Sequence, residues 1–356
     1  MTGLVLVINL GSSSFKVSLV DSTGAKVWCC NRKRSTGESV STVLNQWLTP
    51  VVERHRHQIQ LIGHRVVHGG EDFTSPTLIT PQLEHALQML IPLAPLHQPP
   101  ALAGLAWTQR LVPDCPQWAC FDTAFHRTLP TAASTYAIPQ KLRDKGLHRY
   151  GFHGINHQYV SEYVADYWRT KGRDPSQLRL ISAHLGAGAS LAAVKGGNCI
   201  DTTMGFTPLE GLVMQTRSGT IDPGLIIELI RQGYGATELS HLLQNESGLK
   251  GLSGLSGEMR EIRELALEAH PGALLALAVF RHRLLQQLGA MAASLQGVDV
   301  LALTGGIGQH DDALRTELNE ALKWWGAFET VVVPADEEGM IARLCLRHQF
   351  SLTATD

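Results

Sequence analysis

The stretch LVLVINLGSSSFKVSLVD at the start of the chain is echoed in its second half by LRLISAHLGAGASLAAVKGG. Each copy reads as an apolar strand, a turn of glycine or serine, and a second strand; AKVWCCNR and CIDTTMG then supply a third. A unit that occurs twice points to internal duplication and so to two domains with related cores. At 356 residues the chain also exceeds what one hydrophobic core usually serves. Hydrophobic residues make up 44% and charged residues only 17%, which calls for a large buried fraction rather than disorder. No low-complexity linker separates the halves, so two α/β domains packed around a cleft are expected.

Other segments fill in the pattern. Helices are expected near 39–56, 81–92, 99–111, 223–247, 257–270, 272–296, 311–325 and 335–349, and strands at 61–70, 118–125 and 298–308. Net charge is −2 and no basic block occurs, which disfavours nucleic acid or an anionic membrane as partner. The opening MTGLVLVINLG lacks a basic leader region and is too short for a span, so a cytoplasmic chain is expected. The six cysteines do not suggest a disulfide framework; free buried thiols fit better.

Three glycine-rich turns follow apolar strands: NLGSSSFK (9–16), HLGAGAS (184–190) and TGGIGQH (304–310). Singly, each reads as a plain strand connection; together they suit a polyphosphate cradled by backbone amides and serine hydroxyls. The third precedes a helix, a place for an adenosine. None has P-loop or G-x-G-x-x-G dinucleotide spacing. Arg65 in GHRVVHGGE and Arg217 in MQTRSGTIDPG sit in apolar, glycine-flanked settings, where a guanidinium fork suits carboxylate or phosphoryl oxygens; a surface ion pair is the plainer alternative. Asp122 follows an apolar strand, where a lone carboxylate is costly. It would orient an arginine or the phosphoryl acceptor, or else cap local backbone. His64 and His68 lie on a strand, and His153 and His157 lack a third ligand, so zinc is disfavoured. His153 in RYGFHG reads instead as a hydrogen-bond donor to an anionic transition state. Glu337 and Glu338 would bind Mg²⁺ through one carboxylate, or only favour a helix N-terminus.

Taken together, VINLGSSSFK, GHRVVHGGE, LAPLHQPP, FDTAFH, RYGFHGINH, HLGAGAS, DTTMGFTPLEGL, TRSGTIDPG, GLSGLSGEMREI, LTGGIG and DEEGMIAR resemble the acetate kinase family, nearly end to end. The resemblance implies an α/β fold of two domains with duplicated actin-like, ribonuclease H-like cores around a nucleotide cleft. It places an N-terminal domain at 1–149, a nucleotide-binding domain at 150–337, and a last helix at 338–356 packed back on the first. It implies reversible transfer of the γ-phosphoryl of ATP to acetate, giving acetyl phosphate and ADP, with Mg²⁺ (or Mn²⁺) and a homodimer. Asp122, Arg65, Arg217 and His153 would be catalytic. Arg65, Val67, Leu96, Phe152 and Pro208 would bind the carboxylate substrate, with His97 nearby. Lys16, Ser12, His184, Leu185, Gly186, Ala187 and Gly188 would hold phosphates. Glu258, Met259, Arg260, Gly306, Ile307, Gly308 and His310 would surround the nucleotide, and Asn9 and Glu337 would hold the metal.

A carboxylate is already nucleophilic at neutral pH, so the implied chemistry needs positioning and charge neutralisation rather than a general base. This chain departs from the family pattern at Ala187, where asparagine is usual, and at Gln215, Thr220, Glu258, Gln309 and His310. These changes touch the nucleotide side or the surface and leave the two arginines and the acyl wall in place. The alternatives are a propionate- or butyrate-preferring kinase, a catalytically impaired nucleotide-binding homologue, and a sugar kinase, which would need a polar acceptor cleft.

Overall fold

The computed structural model describes the chain apart from residues 1–2, 12–13, 34–38, 96 and 354–356. The chain divides into two compact units. Unit 1 comprises residues 1–125, 153–159 and 336–356; unit 2 comprises 126–152 and 160–335. The tract 126–152 thus belongs with the later part of the chain, and the short return 153–159 with the first.

Unit 1 is built on a six-stranded sheet of β1 (Leu4–Leu10), β2 (Ser14–Val20), β3 (Lys26–Lys33), β4 (Ile59–Val66), β5 (Thr77–Leu78) and β6 (Gln117–Phe121), in the order β3-β2-β1-β4-β6-β5. The first three strands form an antiparallel meander, and β1, β4 and β6 run parallel. Successive side chains of a strand point to opposite faces, and β1 is apolar on both. Leu4, Leu6, Ile8 and Leu10 pack with Val43, Leu48, Val52 and Trp107 on one face. Val5 and Val7 pack with Met340, Ile341, Leu344 and Cys345 on the other. Each such side chain contributes ~1.5–3 kcal/mol on full burial. The helix Glu337–Thr353 therefore lies on the first sheet. Its approach demands glycine at 63, where a Cβ would stand 2.6 Å from Ile341 Cγ2 and 2.8 Å from Cys345 Sγ.

Unit 2 contains β7 (Arg179–Leu185), β8 (Ala189–Lys195), β9 (Asn198–Thr202), β10 (Val300–Thr304) and β11 (Glu329–Val332), in the order β11-β10-β7-β8-β9. Again three strands form an antiparallel meander, and the first of them runs parallel to two later strands. The repeated strand–turn–strand pattern of the sequence therefore marks a repeated topology. The helix Pro271–Leu295 covers this sheet, burying Ala273, Ala276, Phe280, Leu284, Leu288, Met291 and Leu295 at helical spacing.

Two expectations need correction. The helix anticipated over 223–247 is broken into Pro223–Arg231 and Ala236–His241, because Gly233 takes a φ of 101° between them. The third glycine-rich turn is not a turn: Gly305–His310 is helical straight after β10, and Asp312–Ala321 follows it. All six cysteines are free, and Cys115, Cys120, Cys199 and Cys345 are buried, but Cys29 is exposed. No helix among the described residues is long and apolar enough to cross a membrane.

Candidate active site

In unit 1 the parallel strands β1, β4 and β6 deliver three polar residues to their C-terminal ends, the edge where open α/β sheets bind ligands. Asn9 lies one residue before the end of β1, Arg65 one before the end of β4, and Asp122 just past β6. Arg65 Nε donates to both Asp122 oxygens at 3.1 Å, and its Nη2 to Oδ2 at 2.5 Å. Its Nη1 donates to Asn9 Oδ1 at 3.1 Å. The Asn9 amide in turn donates to Glu337 Oε2 at 3.2 Å and Glu338 Oε1 at 2.9 Å. Lys16 Nζ stands 3.6 Å from Glu337, and Lys26 Nζ 3.1 Å from Glu338.

Ion pairs and hydrogen bonds through the neutral Asn9 amide form one continuous chain, and its centre is buried: Asp122 is 1% exposed and Asn9 2%. Burial alone would lower the pKa of Arg65, but Asp122 and Glu337 outweigh it and hold the guanidinium firmly charged. Burial pushes the Asp122 carboxyl up, against the pull of Arg65. The structure thus pairs Asp122 with Arg65. His153, with a φ of 57°, immediately precedes the helix Gly154–Thr170, whose first amide donates to the Asp122 carbonyl at 2.8 Å. Val67 is buried just past β4. Ser12 and Leu96 lie outside the described residues. His64 Nε2 bonds Gln117 Oε1 at 2.9 Å; burial drives the His64 pKa down to about 4.

In unit 2 a cavity of about 510 Å³ opens beside the β7–β8 turn, a volume in the range of small-molecule sites. Gly186 and Ala187 line it from the turn, and Glu258, Met259 and Arg260 from the start of the helix Met259–Leu267. Gly306, Ile307 and His310 line it from the helix Gly305–His310. His184, Leu185, Gly188 and Gly308 flank the same elements without lining it. The turn is partly self-bonded. The Gly186 amide donates to the Gly188 carbonyl at 3.0 Å, and the Ala187 carbonyl accepts from Gln215 N at 3.1 Å. The Gly186 amide is therefore already used.

Sequence reasoning missed part of this wall. Arg263, Glu264 and Leu267 also face the cavity. Their signal was present in MREIRELAL: residues 260, 263, 264 and 267 recur at i, i+3 and i+4 spacing and line the cavity together with Met259, while Ile262 is buried. Arg263 is held by Asp311 and Glu317, each at 3.0 Å. Elsewhere in unit 2, Arg217 Nη1 donates to the Pro208 carbonyl at 3.1 Å. Phe152 is 1% exposed, and its carbonyl bonds His126 Nε2 at 2.9 Å.

Among the described residues, no group of three or more His, Cys, Asp or Glu side chains stands ready to hold a metal ion. Mg²⁺ does not require one, since it is commonly held by one or two carboxylates together with substrate phosphates. The Glu337 carboxylate is a hard oxygen donor of that kind, and Asn9 turns its amide nitrogen rather than its oxygen toward it. The donor set fits an ion brought in with a nucleotide.

Residues 26–332 match the Acetokinase family. An acetate kinase of Synechococcus sp. is 51% identical over 254 residues, covering 71% of this chain but only 62% of that protein's length. An acetate kinase of Protochlamydia amoebophila is 39% identical across 97% of this chain and 99% of its own. Among solved structures, the acetate kinase of Porphyromonas gingivalis superimposes with a TM-score of 0.86 at 33% identity, covering 97% of this chain and 99% of that one. A propionate kinase of Francisella tularensis gives the same TM-score, identity and coverage.

Proposed function

Because the chain belongs to the acetokinase family, we propose that it is an acetate kinase, transferring the γ-phosphoryl of ATP reversibly to acetate. An acetate oxygen attacks the γ-phosphorus in line, the bond to the bridging oxygen of ADP breaks, and acetyl phosphate forms. The observation that carries this reading is the buried Asp122–Arg65–Asn9 chain. It fixes one guanidinium at the end of a strand, charged and immobile, without presenting a general base. That is what transfer to an already ionised acceptor requires.

Unit 1 supplies Arg65 for carboxylate or phosphoryl oxygens, His153 as donor to the equatorial oxygens, and Val67 as apolar wall. Lys16 is the phosphate-side cation beside Glu337, and Ser12 belongs to the same loop. Unit 2 supplies Arg217 for the phosphoryl in flight, Phe152 and Pro208 as further wall, and the cavity for the nucleoside. Glu337, with Asn9 beside it, would hold Mg²⁺, or Mn²⁺ in its place; when bound, the ion neutralises charge on the β- and γ-phosphates.

Trapping acyl phosphate as hydroxamate, with ATP, Mg²⁺ and acetate, propionate or butyrate, tests this. Wild-type protein turns over acetate, and Arg217→Ala loses about 10²–10³-fold in kcat. No turnover of any acid by wild type would sink the reading. Preference for propionate is the second reading, favoured by the equal likeness to the Francisella propionate kinase. One methylene is worth only ~1–3 kcal/mol, so the ratio of kcat/KM values for the two acids decides.

The partner we propose is a second copy of the chain. The helix Pro223–Arg231 buries no residue, and it leaves Leu225, Ile227 and Ile230 about half exposed. Such a run supports an interface, and the sedimentation mass of the purified chain tests it.

A further inference from the structure

The motifs RYGFHG and DTTMGFTPLEGL, with Tyr136 upstream, meet in a polar cluster of unit 2 that the roles above leave unused. Arg149 Nη1 donates to the carbonyls of Thr202, Thr203 and Met204 at 3.2, 3.3 and 2.9 Å, and its Nη2 to Glu210 Oε1 at 2.7 Å. The Tyr136 hydroxyl donates to Glu210 Oε2 at 2.5 Å and accepts from the Phe206 amide at 2.9 Å. Burial, then Glu210, pushes that hydroxyl up to about 12, so it remains a donor at neutral pH. The amides of Tyr150 and Gly151 both donate to the Gly205 carbonyl. A Cβ at Gly205 would meet Glu210 Oε2 and Tyr136 Oη, so a side chain there would displace this pair.

The consequence falls on Pro208. Proline has no amide hydrogen with which to anchor its own backbone, so its place is set by its neighbours. Phe206 on one side is held by Tyr136, and Glu210 on the other by Tyr136 and Arg149. The Pro208 carbonyl is in turn the acceptor for Arg217 Nη1.

We propose that Arg149, Tyr136 and Glu210 are positioning residues, which fix the 205–210 segment so that Pro208 sets both the acyl-side wall and the direction of the Arg217 guanidinium. The proposal rests on the reading of Pro208 and Arg217 given above. It assigns work to a carboxylate that touches neither substrate nor metal. Its expected signature is a change in acid binding that leaves nucleotide binding alone.

The test uses the full chain in the hydroxamate assay, with KM for acetate, propionate and ATP and the melting temperature measured for each variant. Tyr136→Phe removes one oxygen and keeps the ring. It is expected to raise the acetate KM about 5-fold, the worth of one hydrogen bond, and to narrow the acetate-to-propionate ratio, with the ATP KM unmoved. Glu210→Gln cuts the charge-assisted bond from Arg149 and is expected to raise the acetate KM about 10-fold or more. The two together should fall short of the product of their separate effects, as members of one network do. Glu210→Asp, which restores the charge, should recover part of the loss. A folded Tyr136→Phe with an unchanged acetate KM overturns the proposal, and so does a parallel rise in the ATP KM. If Glu210→Gln does not fold, Tyr136→Phe decides alone. Inactivity of wild type toward every acid overturns the functional reading and this proposal together; active wild type with unmoved variants overturns only this one.

Discussion

The two sheets share one topology, an antiparallel meander whose first strand runs parallel to two later ones, yet their corresponding strand ends are furnished in opposite ways. At the end of β1 stands Asn9, locked into a buried chain running from Asp122 through Arg65 to Glu337. At the end of β7 come His184, Leu185 and a glycine turn open to a cavity of about 510 Å³. Where β4 ends in Arg65 and Val66, β10 ends in Thr304 and passes into Gly305. One scaffold therefore offers two equivalent exits, and side-chain chemistry decides whether an exit is filled with paired charge or left as bare backbone. Buried charge makes the first rigid and costly to disturb. Glycine makes the second roomy and tolerant.

The strongest way to break the contrast is Asp122→Ala. It leaves Arg65 buried without its carboxylate, which should cost about 3–5 kcal/mol in denaturant unfolding and about 10²–10³-fold in kcat. A variant as stable as wild type would show that the filled exit is not rigid after all.

A second test asks whether the halves share a response to acid. His64 in unit 1 and His126 in unit 2 are both buried, and burial drives each pKa from 6.5 down to about 4. The unfolded chain gains these protons as pH falls through about 6.5, while the folded chain resists until about 4. Stability should therefore decline across that window and level off below it, by about 3 kcal/mol per histidine. His64→Gln and His126→Gln should each remove one share of the slope in urea midpoints taken from pH 4.5 to 7.5. A flat wild-type profile would contradict both.

The smallest effect is expected in the open exit. Ala187 is exposed at the turn, so Ala187→Asn should leave stability unchanged and lower the ATP KM by no more than about 5-fold, one side-chain hydrogen bond. An unchanged KM would mean that backbone alone handles the phosphates there.

Much of this contrast is legible in the residues themselves. The apolar runs at β1, β7 and β10 and the alternation of β2 state their strands plainly, and a carboxylate at Asp122 after five buried residues announces a partner. The identity of the partner is not written locally. Arg65 is 57 positions away and Glu337 lies 328 positions from Asn9, so only the folded sheet brings them together. The pairing of Lys26 with Glu338, 312 positions apart, is not written locally either. Gly305–His310 misled because two consecutive glycines argue for a turn, whereas only Gly305 takes a positive φ, 80°, and the stretch runs on as a helix. On the helix Met259–Leu267 the cavity face is written in the spacing of residues 260, 263, 264 and 267.

The seating of the helix Glu337–Thr353 on β1, β4 and β6 has a consequence for the birth of the chain. The hydrophobic side formed by Val5, Val7, Trp118 and Cys120 waits for a cover that the ribosome makes more than 200 residues later. At ~5–20 residues per second, the stretch from Phe121 to Met340 takes roughly 10–40 s to synthesise. Throughout that interval the strands of the first sheet lack the cover of the helix Glu337–Thr353, with only Ile155 and Tyr159 arriving on that side, while unit 2 emerges. The later-made unit can thus be finished first, and the nascent first sheet is the part that most needs shielding from other chains.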